Sequence, residues 1–171
     1  MIDLAGRIRD VPDFPQQGIV FKDITTLLSD GAALRQAIDQ LAEQVKDWGI
    51  DVVVGMESRG FIFAAPIAYL LNVGFVPVRK LGKLPSETIS AEYELEYGTN
   101  TLEMHVDAVE AGTRVLVVDD LLATGGTVAA TIELVERLGG VVVGAAFLIE
   151  LAFLNGRRRL DGYQIARLIT Y

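Results

Sequence analysis

Asp119 and Asp120 stand side by side, and three apolar residues later the chain reads Thr124-Gly125-Gly126-Thr127. A run of small residues ahead of a helix presents unpaired backbone N–H groups and the positive end of the helix dipole, which together suit a phosphate. Gly125 and Gly126 allow close backbone approach, and Thr124 and Thr127 add hydroxyl donors. Two carboxylates next to such a cradle would repel the phosphate itself. They call for donors or a cation nearby, and adjacent ribose hydroxyls or a bound magnesium ion meet that need. The combined pattern points to a ribose 5-phosphate. A capped turn would explain one threonine, but not the acid pair and the Thr-Gly-Gly-Thr run together. The run has no Gly-Lys-Ser/Thr ending and no GxGxxG spacing, so it is neither of those nucleotide loops.

A second cluster repeats the layout. Asp51 to Met56 reads as a core strand, Glu57-Ser58-Arg59-Gly60 as a polar loop, and about Phe61 to Leu71 as an apolar helix. This offers another anion site, with Arg59 the natural cation for a diphosphate; the plainer alternative is a solvated loop arginine. Arg79, Lys80 and Lys83 follow the next strand, Val73 to Val78, and either form a wet loop or meet the phosphates. Glu92, Glu94 and Glu96 alternate along a strand, a pattern that by itself singles out none of them. His105 is the only histidine and there is no cysteine, which argues against a zinc cluster or a Ser-His-Asp triad and excludes a thiol nucleophile.

The elements that must position these groups alternate. Val115 to Val118 is a β-branched run for a strand buried on both faces, with Asp119 and Asp120 at its end and Leu121-Leu122-Ala123 as a short turn. Thr127 to Leu138 follows as a helix, with Glu133 and Arg137 placed to pair at i,i+4. Leu34, Ile38, Leu41 and Val45 mark one face of an earlier helix ending near Gly49. Val141 to Ile149 and Tyr163 to Thr170 are further strands, and Arg157 to Arg159 read as solvated. From Ser86 to Val106 the period becomes two around Gly98-Thr99-Asn100, a hairpin whose mixed faces suggest a lid. Residues 3 to 9 read as a short amphipathic helix. Pro12, Pro15 and Gly18 enforce an irregular path through the apolar segment that follows. Strand–helix alternation without a linker predicts one α/β domain over 1–171, with a mostly parallel central sheet flanked by helices.

Composition narrows the partners. Over 171 residues, 51% are hydrophobic, enough for a sizeable core, and the net charge of −8 argues against nucleic acid. No apolar run reaches the roughly 18 residues of a membrane helix. The opening MIDLAGRIRD does not read as a signal peptide, and a reducing cytoplasm is expected.

The stretch RVLVVDDLLATGGT resembles the phosphoribosyl pyrophosphate (PRPP) motif of the type I phosphoribosyltransferases. Taken with VPDFPQQGIVFKDITTLL, VVVGMESRGFIFAAPIA and VPVRKLGKLPSETISAEYELEYGTNTLEMH, nearly the whole chain is similar to the adenine-specific branch of that family. The resemblance implies the type I fold, with an N-terminal base-covering segment and a flexible hairpin lid. It implies conversion of adenine and PRPP to AMP and pyrophosphate, with Mg²⁺ carried mainly by substrate oxygens, in a homodimer. Asp119 and Asp120 would face the ribose hydroxyls, and Ala123, Thr124, Gly125, Gly126 and Thr127 the 5′-phosphate. Glu57, Ser58, Arg59, Arg79 and Lys83 would serve the diphosphate, with a non-proline cis bond expected between Glu57 and Ser58. Phe21 and Leu121 would sandwich the purine, the backbones of Val20 and Lys22 would read its edge, and Glu96, beside Tyr97, would act as general acid/base at N7. Glu57 stands where many relatives have Asp, and Ala64 where a Gly is common. Transfer to another base, or a PRPP-sensing regulator, are the competing readings.

Overall fold

The β-branched runs become neighbouring strands of one sheet, as their apolar character on both faces requires. The structure, a computed structural model, describes residues 1–94 and 99–171, with Glu94 described in its backbone only. It divides into two compact units, Met1–Gln40 and Leu41–Tyr171.

In the first unit, β1 (Arg9–Pro12) pairs antiparallel with β2 (Val20–Asp23), followed by α1 (Thr25–Leu28). The helix expected over residues 3 to 9 is reduced to a 3-10 turn at Ala5–Arg7. Arg9 and Asp10 instead extend to meet Asp23 and Lys22, and each of the two cross-strand pairs forms an ion pair. Contacts from 12 to 14 residues away override the local helical pattern. The unit boundary falls within α2 (Gly31–Val45), whose buried face runs through Ala33, Ala37, Leu41 and Val45. Gly49 follows it in the left-handed conformation, φ 66°.

Among the described residues the second unit holds seven strands: β3 (Val52–Met56), β4 (Gly74–Lys80), β5 (Thr88–Glu94), β6 (Thr99–His105), β7 (Arg114–Leu122), β8 (Val141–Glu150) and β9 (Gln164–Thr170). Their order is β5-β6-β4-β3-β7-β8-β9. Pairs within β4-β3-β7-β8-β9 are parallel, while β6 joins β4 and β5 antiparallel. The expected mostly parallel sheet is present. Two helices, α3 (Gly60–Leu71) and α4 (Gly126–Arg137), follow β3 and β7, so both candidate anion loops lie at the carboxyl ends of parallel strands.

Two expectations change in detail. First, β7 does not stop at Val118: Asp119, Leu121 and Leu122 pair with Phe147, Ile149 and Glu150 of β8, so the acid pair sits inside a strand. Second, the hairpin arms belong to the main sheet, with Ala91, Leu102 and Met104 buried in its core. Arg137 of α4 pairs with Glu133 as expected and also donates to the Ser90 carbonyl of β5 at 2.6 Å. No helix among the described residues is long and apolar enough to cross a membrane.

Candidate active site

The Thr-Gly-Gly-Thr run forms a tight strand-to-helix turn. Gly125 takes φ 82°, a conformation that costs glycine little, and Gly126 opens α4 with no side-chain cap. The first-turn N–H groups therefore keep the orphan status that suits an anion. A small cavity of about 60 Å³ is lined by Asp119 and the stretch Leu121 to Val128, which includes Ala123, Thr124, Gly125, Gly126 and Thr127.

A second cavity of about 300 Å³ adjoins it through Asp119 and Thr127, which line both. Its remaining lining is Glu57, Ser58, Arg59, Lys80, Tyr93, Leu102 and Asp120. Asp120 is 4% exposed, and its Oδ2 lies 2.7 Å from Nε of Arg59. Asp119 is half-buried and accepts the backbone N–H of Asp120 at 2.9 Å. Burial, and then the adjacent Asp120 carboxylate, push the Asp119 carboxyl well above the usual carboxylate range. The two carboxylates thus repel each other, and a ligand bringing hydroxyl donors or a cation would relieve that repulsion.

The loop after β3 carries the expected cis peptide bond between Glu57 and Ser58. The Glu57 carboxylate is engaged within the protein: its Oε2 accepts the Lys80 N–H at 3.0 Å and Nε of Arg79 at 3.3 Å. Burial works against ionisation there, but the Lys80 N–H and the Arg79 charge outweigh it and hold the carboxyl below its ordinary value. Arg79 also reaches the Lys83 carbonyl at 3.2 Å. Arg79 and Lys83 are therefore linked to each other and to Glu57, whereas Lys80 lines the cavity directly. Sequence alone left Lys80 open between a wet loop and the phosphates, and the family resemblance assigned it no role. Because β4 runs on to Lys80, Arg79 and Lys80 project to opposite faces, and only the strand's true end reveals which one lines the site.

Gly60 is a second residue that sequence reasoning did not assign. A side-chain carbon at Gly60 would come 2.9 Å from Asp119 Oδ1 and 3.0 Å from the Val118 carbonyl oxygen, so only glycine lets the Arg59 loop approach the acid pair. Ala64, noted as a departure, has its counterpart in Gly55: a carbon added there would lie 2.6 Å from the Ala64 methyl.

Glu96 and Tyr97 lie outside the described residues. The arms on either side are anchored by Glu103, buried on β6, which accepts the Gly82 N–H at 2.8 Å and the Thr88 hydroxyl at 3.2 Å. In the first unit, Val20, Phe21 and Lys22 form β2. Phe21 makes an edge contact with Phe14 at 5.2 Å, and Nζ of Lys22 binds Asp10 at 2.7 Å.

The chain is similar to known proteins over nearly its whole length. The family of the phosphoribosyl transferase domain matches residues 23–164. Adenine phosphoribosyltransferase of Acetivibrio thermocellus is 57% identical over 171 residues, covering 99% of this chain and all of the relative. The crystal structure of adenine phosphoribosyltransferase from Thermoanaerobacter pseudethanolicus superposes with a TM-score of 0.96 at 56% identity, covering 99% of this chain and 98% of the other. That of the Saccharomyces cerevisiae enzyme, complexed with adenine and an imino-altritol bisphosphate, gives 0.88 at 40% identity over 98% and 96%. An acid pair inside β7, a glycine turn opening α4 and an arginine loop after β3 thus sit in a chain that belongs to the adenine phosphoribosyltransferase family.

Proposed function

We propose that this chain catalyses transfer of the 5-phosphoribosyl group from PRPP to adenine, giving AMP and pyrophosphate, in purine salvage. One observation carries the reading: an acid pair, a phosphate-sized turn and an arginine loop line two adjoining cavities at the carboxyl ends of the central strands. That array matches the three parts of PRPP, namely ribose hydroxyls, 5′-phosphate and diphosphate.

The bond from ribose C1 to the diphosphate breaks as adenine nitrogen bonds to C1, and the base gives up one proton. Positive charge develops on the ribose ring, and negative charge on the leaving group. In the proposed arrangement the loop 123–127 holds the 5′-phosphate, Asp119 and Asp120 accept from the ribose hydroxyls, and Arg59 with Lys80 neutralises the diphosphate. Glu57 fixes Arg79, and through it Lys83, at the cavity's edge. Phe21 and Leu121 serve the purine faces, the backbones of Val20 and Lys22 its edge, and Glu96 the proton at N7, all as the family resemblance assigns them.

Mg²⁺ fits as a cation carried by substrate oxygens. Asp119 and Asp120 line the cavity side by side, and a cation arriving there with its ligand would ease the repulsion between their carboxylates. Bound there, it would stabilise the departing diphosphate as a Lewis acid.

A homodimer is also proposed. On α3, Ile62, Tyr69 and Leu70 are exposed, as is Phe75 of β4, which packs edge-on against Phe61 of the same helix, and a second copy would bury this apolar surface. Sedimentation of the purified chain tests it. The family model begins at residue 23 in the first unit and runs across the boundary to residue 164 of the second, which supports one functional domain, and the cysteine-free chain suits the cytoplasm. The decisive assay is AMP formation from PRPP with adenine, set against hypoxanthine, guanine and orotate. No product with adenine, or faster turnover of another base, refutes the reading.

A further inference from the structure

A 3-10 turn, Gly156–Leu160, lies directly against the phosphate loop, yet none of its residues lines either cavity. The contact is backbone to backbone. A side-chain carbon at Gly156 would come 2.1 Å from the Ala123 carbonyl oxygen and 3.0 Å from the Gly125 nitrogen. One at Gly125 would come 2.7 Å from the Gly156 carbonyl oxygen. The Ala123 carbonyl is therefore turned onto Gly156. In a planar trans peptide the C=O and N–H point opposite ways, so the Thr124 N–H faces away from Gly156. That is the direction a phosphate in the loop's own cavity requires.

The turn is held at both ends. Leu160 is buried in the core. At the other end Arg157 grips Glu150 with two parallel hydrogen bonds, Nε to Oε1 at 3.0 Å and Nη2 to Oε2 at 2.9 Å. Glu150 is the last residue of β8, only 6% exposed, and in register with Leu122 at the end of β7. The fork–fork pair thus ties the turn to the strand ends from which the phosphate loop springs. Arg167 of β9 also binds Glu150, with Nε 2.7 Å from Oε2, but it lies on β9 and not on the turn. Two arginines therefore share one buried carboxylate, and only Arg157 belongs to the segment that touches the loop.

We infer that Arg157 is a positioning residue for the 5′-phosphate: through Gly156 it sets the pose of the Ala123–Gly125 backbone, and so the affinity for phosphorylated ribose. The inference rests on the proposed function, in which that loop takes the 5′-phosphate. It assigns a role to a residue that sequence analysis read as solvated.

The two arginines supply their own control. Removing either leaves Glu150 with the other, so neither Arg157→Ala nor Arg167→Ala orphans the buried carboxylate, and both should fold with similar losses of Tm. Ribose 5-phosphate and pyrophosphate binding are then measured by calorimetry on the full chain, alongside steady-state kinetics. Arg157→Ala should weaken ribose 5-phosphate about tenfold or more, in the range a small misplacement of binding groups costs, and leave pyrophosphate within about twofold. Its KM for PRPP should rise while kcat at saturation changes little. Arg157→Lys, which keeps the charge but not the fork, should recover only part of the affinity. Arg167→Ala should leave both ligands unchanged. Equal effects of the two alanine variants, equal loss of both ligands in Arg157→Ala, or no loss of ribose 5-phosphate affinity would each overturn the inference. Thr127→Ala separates the two levels. If it weakens ribose 5-phosphate while Arg157→Ala does not, positioning fails and the phosphate site stands; if neither does, both fail.

Discussion

Asp119→Asn is expected to make the protein more stable and less able to bind PRPP. The substitution is isosteric, and the amide oxygen keeps its bond from the Asp120 N–H, 2.9 Å in the native protein. What it removes is a carboxylate raised by burial and by Asp120. A raised carboxyl binds its proton more tightly folded than unfolded. Its contribution to stability is complete below the unfolded pKa and is withdrawn as pH rises through the folded one. Each unit of that separation withdraws about 1.4 kcal/mol. For a chain of this size each kcal/mol moves Tm by about 2–4 °C. Thermal unfolding across pH 4 to 8 should therefore show the native protein losing stability with rising pH relative to Asp119→Asn, with the gap widest above the folded pKa. PRPP titrations on the same samples should show weaker binding by the variant, because the amide loses a charge-assisted hydrogen bond worth about 1.5–3 kcal/mol. Parallel stability curves would refute the claim that the site is electrostatically strained. Unchanged PRPP affinity would refute the ribose assignment.

Gly60→Ala should fold but bind PRPP poorly, since the new methyl group would sit 2.9 Å from Asp119 Oδ1 and displace the acid pair or the Arg59 loop; titration with PRPP checks it. Lys22→Ala should keep its preference for adenine over hypoxanthine, because the Lys22 side chain is bound to Asp10 and the proposed reader is backbone. Phe21→Ala should weaken adenine without admitting hypoxanthine, and kcat/KM for the two bases in both variants decides the matter. Glu96→Gln should lower kcat by about 10²–10⁴-fold, the range for a lost general acid/base, and Glu92→Gln should change it little. Comparable losses at both positions would indicate a diffuse electrostatic effect.

What sequence alone determined about this protein were the features carried by neighbours along the chain. The β-branched runs at 52–56 and 115–118 had to be central strands, and Gly125-Gly126 before an amphipathic run had to be a tight turn into a helix. The ribose-phosphate chemistry followed, because its acid pair and its phosphate cradle lie within nine consecutive residues. Tertiary structure decided whatever depends on partners far away in the chain. Strand β7 runs past its apolar stretch because β8 pairs with Asp119 and Leu122, which no local pattern records. Arg9 and Asp10 leave a helical pattern because Asp23 and Lys22 draw them into a strand. Lys80 lines the site, Glu57 turns to Arg79, Gly60 must lack a side chain, and Arg157 grips Glu150, each through contacts formed only when separate strand ends converge. A charged residue looks alike in sequence whether it is solvated or clamped. The difference lies in which carboxylate the fold brings within 3 Å of it, and folding over long loops, not local propensity, sets that distance.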